Sequence, residues 1–151
     1  MSIKITIAAL CACAAALLAA PAGAKPCTQA DLAGVWSLTT VSAAQPEVSA
    51  YYAANPVEYV RFSVDGNYAV LNGRERLADA PAVNARLDAA IAAGTGSRTA
   101  MGIVMNDPGE LILMDGGEAF EGYMCAVDGD TLVWTQTDGS PAVRKVLARV
   151  R

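Results

Sequence analysis

From residue 34 onward, apolar and polar positions alternate in short runs, the period-two pattern of strands with one buried face. The first run, GVWSLTTV over 34–41, sets Trp36, Leu38 and Thr40 on one face and Val35, Ser37 and Thr39 on the other. A long connection over 42–56, bounded by Pro46 and Pro56, leads to a second run over 57–64. There Val60, Phe62 and Val64 oppose Tyr59, Arg61 and Ser63. Asp65-Gly66 follows at once and predicts a tight hairpin into a third, antiparallel run over 68–72. In this register Arg61 faces outward. A slip of one residue would bury it, as a cation able to hold an acidic head group.

The period then changes. Residues 80–93, APAVNARLDAAIAA, space Val83, Leu87 and Ile91 by four. Asp79 or Ala80 can cap this segment, Pro81 suits a first helical turn and Gly94 suits an end, so a short amphipathic helix is predicted. Five runs follow at 99–105, 110–114, 119–126, 131–137 and 142–150, with NDPG, DGG, DGD and DGS between them, each a turn by composition. The result is an all-β chain of eight strands with one short helix between strands 3 and 4. Eight antiparallel strands joined mostly by tight turns predict a closed up-and-down β-barrel, which leaves no exposed edges. A two-sheet sandwich is the alternative. A barrel of this number has room for packed side chains or one small ligand, and the helix could lid or plug it.

The chain before the first run bears on where this domain works. Residues 1–24 carry Lys4, an apolar stretch over 5–20 and a small-residue AGA at 22–24, the arrangement of a secretory signal peptide. The apolar stretch is short for a membrane span, and Pro21 ends it. Lipidation at Cys13 is a further alternative, on a poor local string. The expected domain is 25–151, periplasmic or secreted, with no stable membrane insertion after cleavage. This part holds all 15 acidic residues and all but one of the 11 basic ones. Its acidic balance, without a basic run, argues against nucleic acid and anionic membrane as partners. Of four cysteines, Cys27 and Cys125 remain after cleavage. In an exported chain a single pair most simply forms one disulfide.

Candidate chemistry is sparse. There is no histidine, which removes the commonest general base, the Ser-His and Cys-His nucleophile pairs and imidazole metal ligands. Asp128 and Asp130 flank Gly129 in a turn and lack the further spaced oxygens of a calcium loop. Glu118 and Glu121 fall on opposite strand faces by parity. Met101, Met105, Met114 and Met124 lie close in sequence. Thioethers can bind Cu(I), but adaptable apolar lining is the simpler use, and with Phe120 these methionines are candidate cavity walls. No metal and no cofactor is expected.

Gly34-x-Trp36 on the first strand, preceded by Leu32, resembles the signature of lipocalin and lipocalin-like barrels. Residues 59–71, YVRFSVDGNYAVL, and 130–150, DTLVWTQTDGSPAVRKVLARV, resemble strands two and three and the closing hairpin of the bacterial members. The resemblance implies that Trp36 closes one barrel end under a late arginine, with Arg149 and Arg151 as candidates, Arg144 a weaker one, and Gly34 admitting a close neighbour. It also implies that the loop after the first strand overhangs the barrel mouth, where Tyr51 and Tyr52 could contact a ligand. Two features depart from the family: the long helix after the last strand is missing, and a helix sits between strands 3 and 4. GxW also opens the small periplasmic inhibitors of secreted metalloproteases, which send an N-terminal trunk into the protease cleft. The expected function is therefore non-catalytic binding of a small apolar or amphipathic molecule, with a protein-binding barrel such as a protease inhibitor as the alternative.

Overall fold

The computed structural model describes residues 23–95, 101–105, 107–137 and 143–151; most of the segment read as a signal peptide lies outside them. Among the described residues, nine strands and three helices follow one another. They are β1 (Lys25–Pro26), α1 (Gln29–Leu32), β2 (Gly34–Ser42), α2 (Pro46–Ala54), β3 (Val57–Phe62), β4 (Asn67–Gly73), α3 (Ala80–Ala92), β5 (Met101–Met105), β6 (Glu110–Asp115), β7 (Glu118–Asp128), β8 (Thr131–Gln136) and β9 (Arg144–Arg149). Each of β2 to β9 pairs antiparallel with the next, and β9 returns to β2. The sheet is thus a closed eight-stranded barrel and not a sandwich. β1 is an extra strand that pairs with β7 beyond the point where β6 ends, Lys25 opposite Val127.

Turn chemistry sets much of the register. Gly66, at φ +83, closes the β3–β4 hairpin, and Phe62 faces Tyr68 across it. Val64 lies in this turn, 82% exposed, so the inward face of β3 ends at Phe62. On β2 the register against β9 shifts between Leu38 and Thr40. Such a bulge moves the alternation by one residue. Thr40 is therefore exposed, and Val41 packs against the barrel core in its place.

The helices correct the sequence reading in two ways. The 42–56 connection is largely helical: Pro46 starts α2 and Asn55 ends it. Helix α3 forms where its period places it, with Asp79 Oδ1 accepting from Ala82 N–H at 2.9 Å, but it neither lids nor plugs the barrel. Val83 and Leu87 pack with Val35, Val57, Tyr59 and Ala69 on the outside of the wall. The outward residues of β2, β3 and β4 are apolar enough to bury a helix face, which is why it sits there. Arg61 also points outward, and its Nη1 donates to Asp88 of α3 at 2.8 Å and to Asn84 at 3.3 Å.

One end of the barrel is filled. Trp36, Phe62, Leu111, Leu113, Leu132 and Leu147 are buried there in the main core, with Leu32 of α1. Thr28 caps α1 in a reciprocal box with Asp31. The Asp31 carboxyl lies below its ordinary value because the Lys25 ammonium and then Thr28 bind its charged form. Trp36 Nε1 donates to Leu32 O at 2.7 Å. The Arg149 guanidinium stands 4.1 Å from the centre of the Trp36 ring, an attractive cation–π geometry. Arg149 also donates to the carbonyls of Ala33 and Asp31, at 2.7 and 2.8 Å. Gly34 is at φ +124, a conformation that favours glycine, and a Cβ there would stand 2.8 Å from Arg149 Nη1 and push the guanidinium from its place. Beside this plug Cys27 and Cys125 are disulfide-bonded, with Cα atoms 5.6 Å apart.

The bond closes a loop across 98 positions. Replacing both cysteines with alanine is expected to lower stability by about 3 kcal/mol, read as a fall in the urea midpoint with a steeper slope, because the unfolded chain loses its cross-link and exposes more surface. An unchanged midpoint would mean that hydrogen bonds and packing alone hold the N-terminal segment against β7.

Candidate functional site

The other barrel end is built differently. On β3 the inward positions are Glu58, Val60 and Phe62, and on β9 they include Lys145 and Leu147. Each strand thus ends its apolar stripe on a charge. Glu58 and Lys145 are the only buried charged residues among those described. Lys145 Nζ donates to Glu58 Oε1 at 2.8 Å. Both groups lose most of their hydration, and such a loss is tolerable only for a closely paired geometry. The pair also spans a gap in the wall. The pairing of β2 with β3 runs only from Gly34 opposite Phe62 to Ser37 opposite Tyr59. Beyond it β2 continues along β9, with Val41 facing Lys145.

Helix α2 lies over this end and is tied to the pair. The Tyr52 hydroxyl donates to Glu58 Oε2 at 3.1 Å, and the Lys145 ammonium sits 5.2 Å from the centre of the Tyr52 ring. The Tyr52 phenol is pushed far above its ordinary pKa, first by burial and then by the neighbouring Glu58 carboxylate. It is a fixed hydrogen-bond donor at any physiological pH. Tyr51 packs edge-on against it, ring centres 5.3 Å apart.

Below α2 is a cavity of about 420 Å³, within the range of small-molecule sites. Its polar lining comes from Glu58, Lys145, Asn72, Gln136, Glu121 and Glu47. Its apolar and aromatic lining comes from Tyr51, Tyr52, Tyr68, Tyr123, Val48, Val70 and Val143. The floor is a layer of rings. Tyr123 stacks on Trp134 at 4.8 Å between centres. Trp134 meets Phe62 edge-on at 5.5 Å and Tyr68 at 6.0 Å. The Tyr123 hydroxyl donates to Glu121, and Trp134 Nε1 is a buried donor that finds no partner among the described residues.

The residues singled out from the sequence fall in several places. Tyr51 and Tyr52 line the cavity. Met105, Met114, Phe120 and Met124 do not. Met105 is partly buried against the main core. Met114 stands beside Gly102 on the wall. Phe120 and Met124 are half-exposed, the latter along a surface groove with Pro26 and Val133. For Met101 only the backbone is described, opposite Tyr68. Gly34, Trp36 and Arg149 form the plug at the far end. No helix among the described residues is long and apolar enough to cross a membrane. Among the same residues no group of three or more His, Cys, Asp or Glu side chains gathers as a metal site would require.

Sequence reasoning missed Glu58 and Lys145. Their signal was parity: Glu58 shares a face with Val60 and Phe62, and Lys145 with Leu147. A charge on the apolar face of each of two barrel strands, with opposite signs, is a pattern of a buried pair. Compared with protein-family models and with curated proteins, the sequence matches none.

Lys145→Met alone leaves the Glu58 carboxylate buried without its counter-charge and is expected to cost about 3–5 kcal/mol. Adding Glu58→Leu should recover most of that loss, because an apolar pair fills the same space. Urea unfolding of the two single variants and the double variant measures the coupling. Additive losses would show that the two groups are solvated independently.

Proposed function

We propose that this chain is an exported lipocalin-like barrel that binds a small apolar or amphipathic molecule, without chemical turnover, in the cavity beneath α2. The observation that carries this reading is the cavity itself. A barrel filled at one end by Trp36 and its neighbours keeps about 420 Å³ at the other, lined by aromatic rings and a buried ion pair. Apolar walls with a few convergent polar groups are the usual composition of a small-molecule site. The GxW strand with Arg149 across the ring supports the family likeness, because the geometry implied by that resemblance is present here. Export draws on the signal-like pattern of residues 1–24 and is in keeping with the Cys27–Cys125 bond, since disulfides persist in oxidising compartments. A protease-inhibiting barrel with a free N-terminal trunk draws less support. Here the segment before the barrel is held by that bond and by the pairing of Lys25 and Pro26 with β7.

Native mass spectrometry of the protein taken from a periplasmic extract, without reduction, tests this directly. The expected result is the disulfide-bonded mass of a chain starting near Lys25, carrying a small molecule that leaves on gentle activation. A bare mass that persists after incubation with extract would overturn the binding reading and turn attention to a protein partner.

A further inference from the structure

Resting on the binding reading above, the geometry points to a particular class of ligand: a compact, planar aromatic molecule with an acceptor oxygen, lying across the barrel, and not a long-chain lipid running down it. The shape of the cavity is the first argument. Its lining reaches from Glu58 on β3 to Tyr123 on β7, strands that stand opposite each other in the ring of eight. It therefore spans the full width of the barrel. Along the axis its depth is uneven: on β4 Asn72, Val70 and Tyr68 all line it, and on β7 Glu121 and Tyr123 do. On β3, β8 and β9 a single inward residue lines it, Glu58, Gln136 and Lys145 respectively. The next inward residues, Val60, Trp134 and Leu147, already belong to the packed core. From Asn72 to Tyr68 the strand advances about 13 Å, and the lining ends there on a ring, so a long acyl chain entering along the axis outruns the cavity at its aromatic floor.

The second argument is the chemistry of the walls. Tyr68 and Tyr123 present rings from the floor and sides, and Tyr51 and Tyr52 present rings from α2. Aromatic faces reward a flat partner, by stacking or edge contact, more than a flexible chain. The polar groups set the third condition. An ammonium carries three donors, and Lys145 directs one hydrogen bond to Glu58 and otherwise faces the rings of Tyr52 and Trp134. Both Glu58 oxygens accept already, from Lys145 and from Tyr52. The spare capacity at the pair is thus donor capacity on a buried cation, which calls for a carbonyl or hydroxyl oxygen on the ligand. A second carboxylate would be opposed by Glu58. A wholly apolar ligand would strip the ammonium of water and return nothing.

The probe for this class is 7-hydroxycoumarin, two fused rings with a carbonyl and a hydroxyl. The comparison is hexadecanoate. Both are titrated into the disulfide-intact exported protein, with probe fluorescence and calorimetry as readouts. Saturable 1:1 binding of the coumarin is expected, with no binding or displacement by hexadecanoate. The Glu58→Leu/Lys145→Met double variant should weaken the coumarin about tenfold. Tyr51→Leu, at a cavity-lining residue 43% exposed, should weaken it about fivefold. Three results overturn the inference: hexadecanoate binding or displacing the probe, no saturable coumarin binding, or coumarin affinity unchanged in both variants. None of these decides the binding reading itself, which stands or falls on whether a small molecule is retained from the extract.

Discussion

An ammonium and a carboxylate 2.8 Å apart, both inside a barrel wall, set the terms for the rest of this molecule. Neither charge could be placed there alone, so the strands carrying them must arrive together although they are 87 positions apart in sequence. The pair links β3 to β9 where β2 has stopped pairing with β3, so it fastens the wall where that seam runs out. It also fastens α2, because Tyr52 spends its hydroxyl on the same carboxylate. And it keeps the end of the barrel from closing into a dry core. Apolar side chains at 58 and 145 could pack inward like their neighbours, whereas a hydrogen-bonded ion pair holds its geometry and leaves space beside it.

The two ends of the barrel divide the work. At one end packing is dense: Trp36 lies between Leu32 and Arg149, the disulfide ties the N-terminal segment to β7, and Gly34 gives the guanidinium its room. This end supplies stability and fixes the register of β2 against β9. At the other end, polar groups and tyrosines surround a hollow roofed by α2. The ring layer of Phe62, Tyr68, Tyr123 and Trp134 separates them, serving as the top of the core and the bottom of the cavity. Helix α3 belongs to neither end and thickens the wall from outside.

Much of the fold was legible in the chain. Asp65-Gly66 announced its hairpin, the four-residue spacing of Val83, Leu87 and Ile91 announced α3, and the runs over 131–137 and 142–150 announced the closing strands. What failed to show has local physical causes. The bulge after Leu38 swaps Thr40 for Val41, and alternation alone cannot place a bulge. Helix α2 has no apolar stripe buried in the core, so its period carries little signal, and its position depends on one tyrosine reaching one carboxylate. The side on which α3 packs was undetermined because both faces of β3 are rich in apolar residues. The site was harder still. Tyr51 and Tyr52 were visible as aromatics in a long connection, but the methionines and Phe120 drew attention by composition while the cavity wall was set by parity. Glu58 and Lys145 each look like ordinary surface charges until their strand faces are known.

The central claim is that a paired charge holds open a cavity between α2 and the aromatic floor. A high-resolution crystal structure of the disulfide-bonded protein, purified with its contents intact, tests that claim most directly. The account predicts Lys145 Nζ within hydrogen-bond distance of Glu58, Tyr52 on the same carboxylate, and density for a flat molecule lying over Tyr123. A collapsed end, with α2 packed onto the rings and Lys145 turned out to solvent, would contradict it.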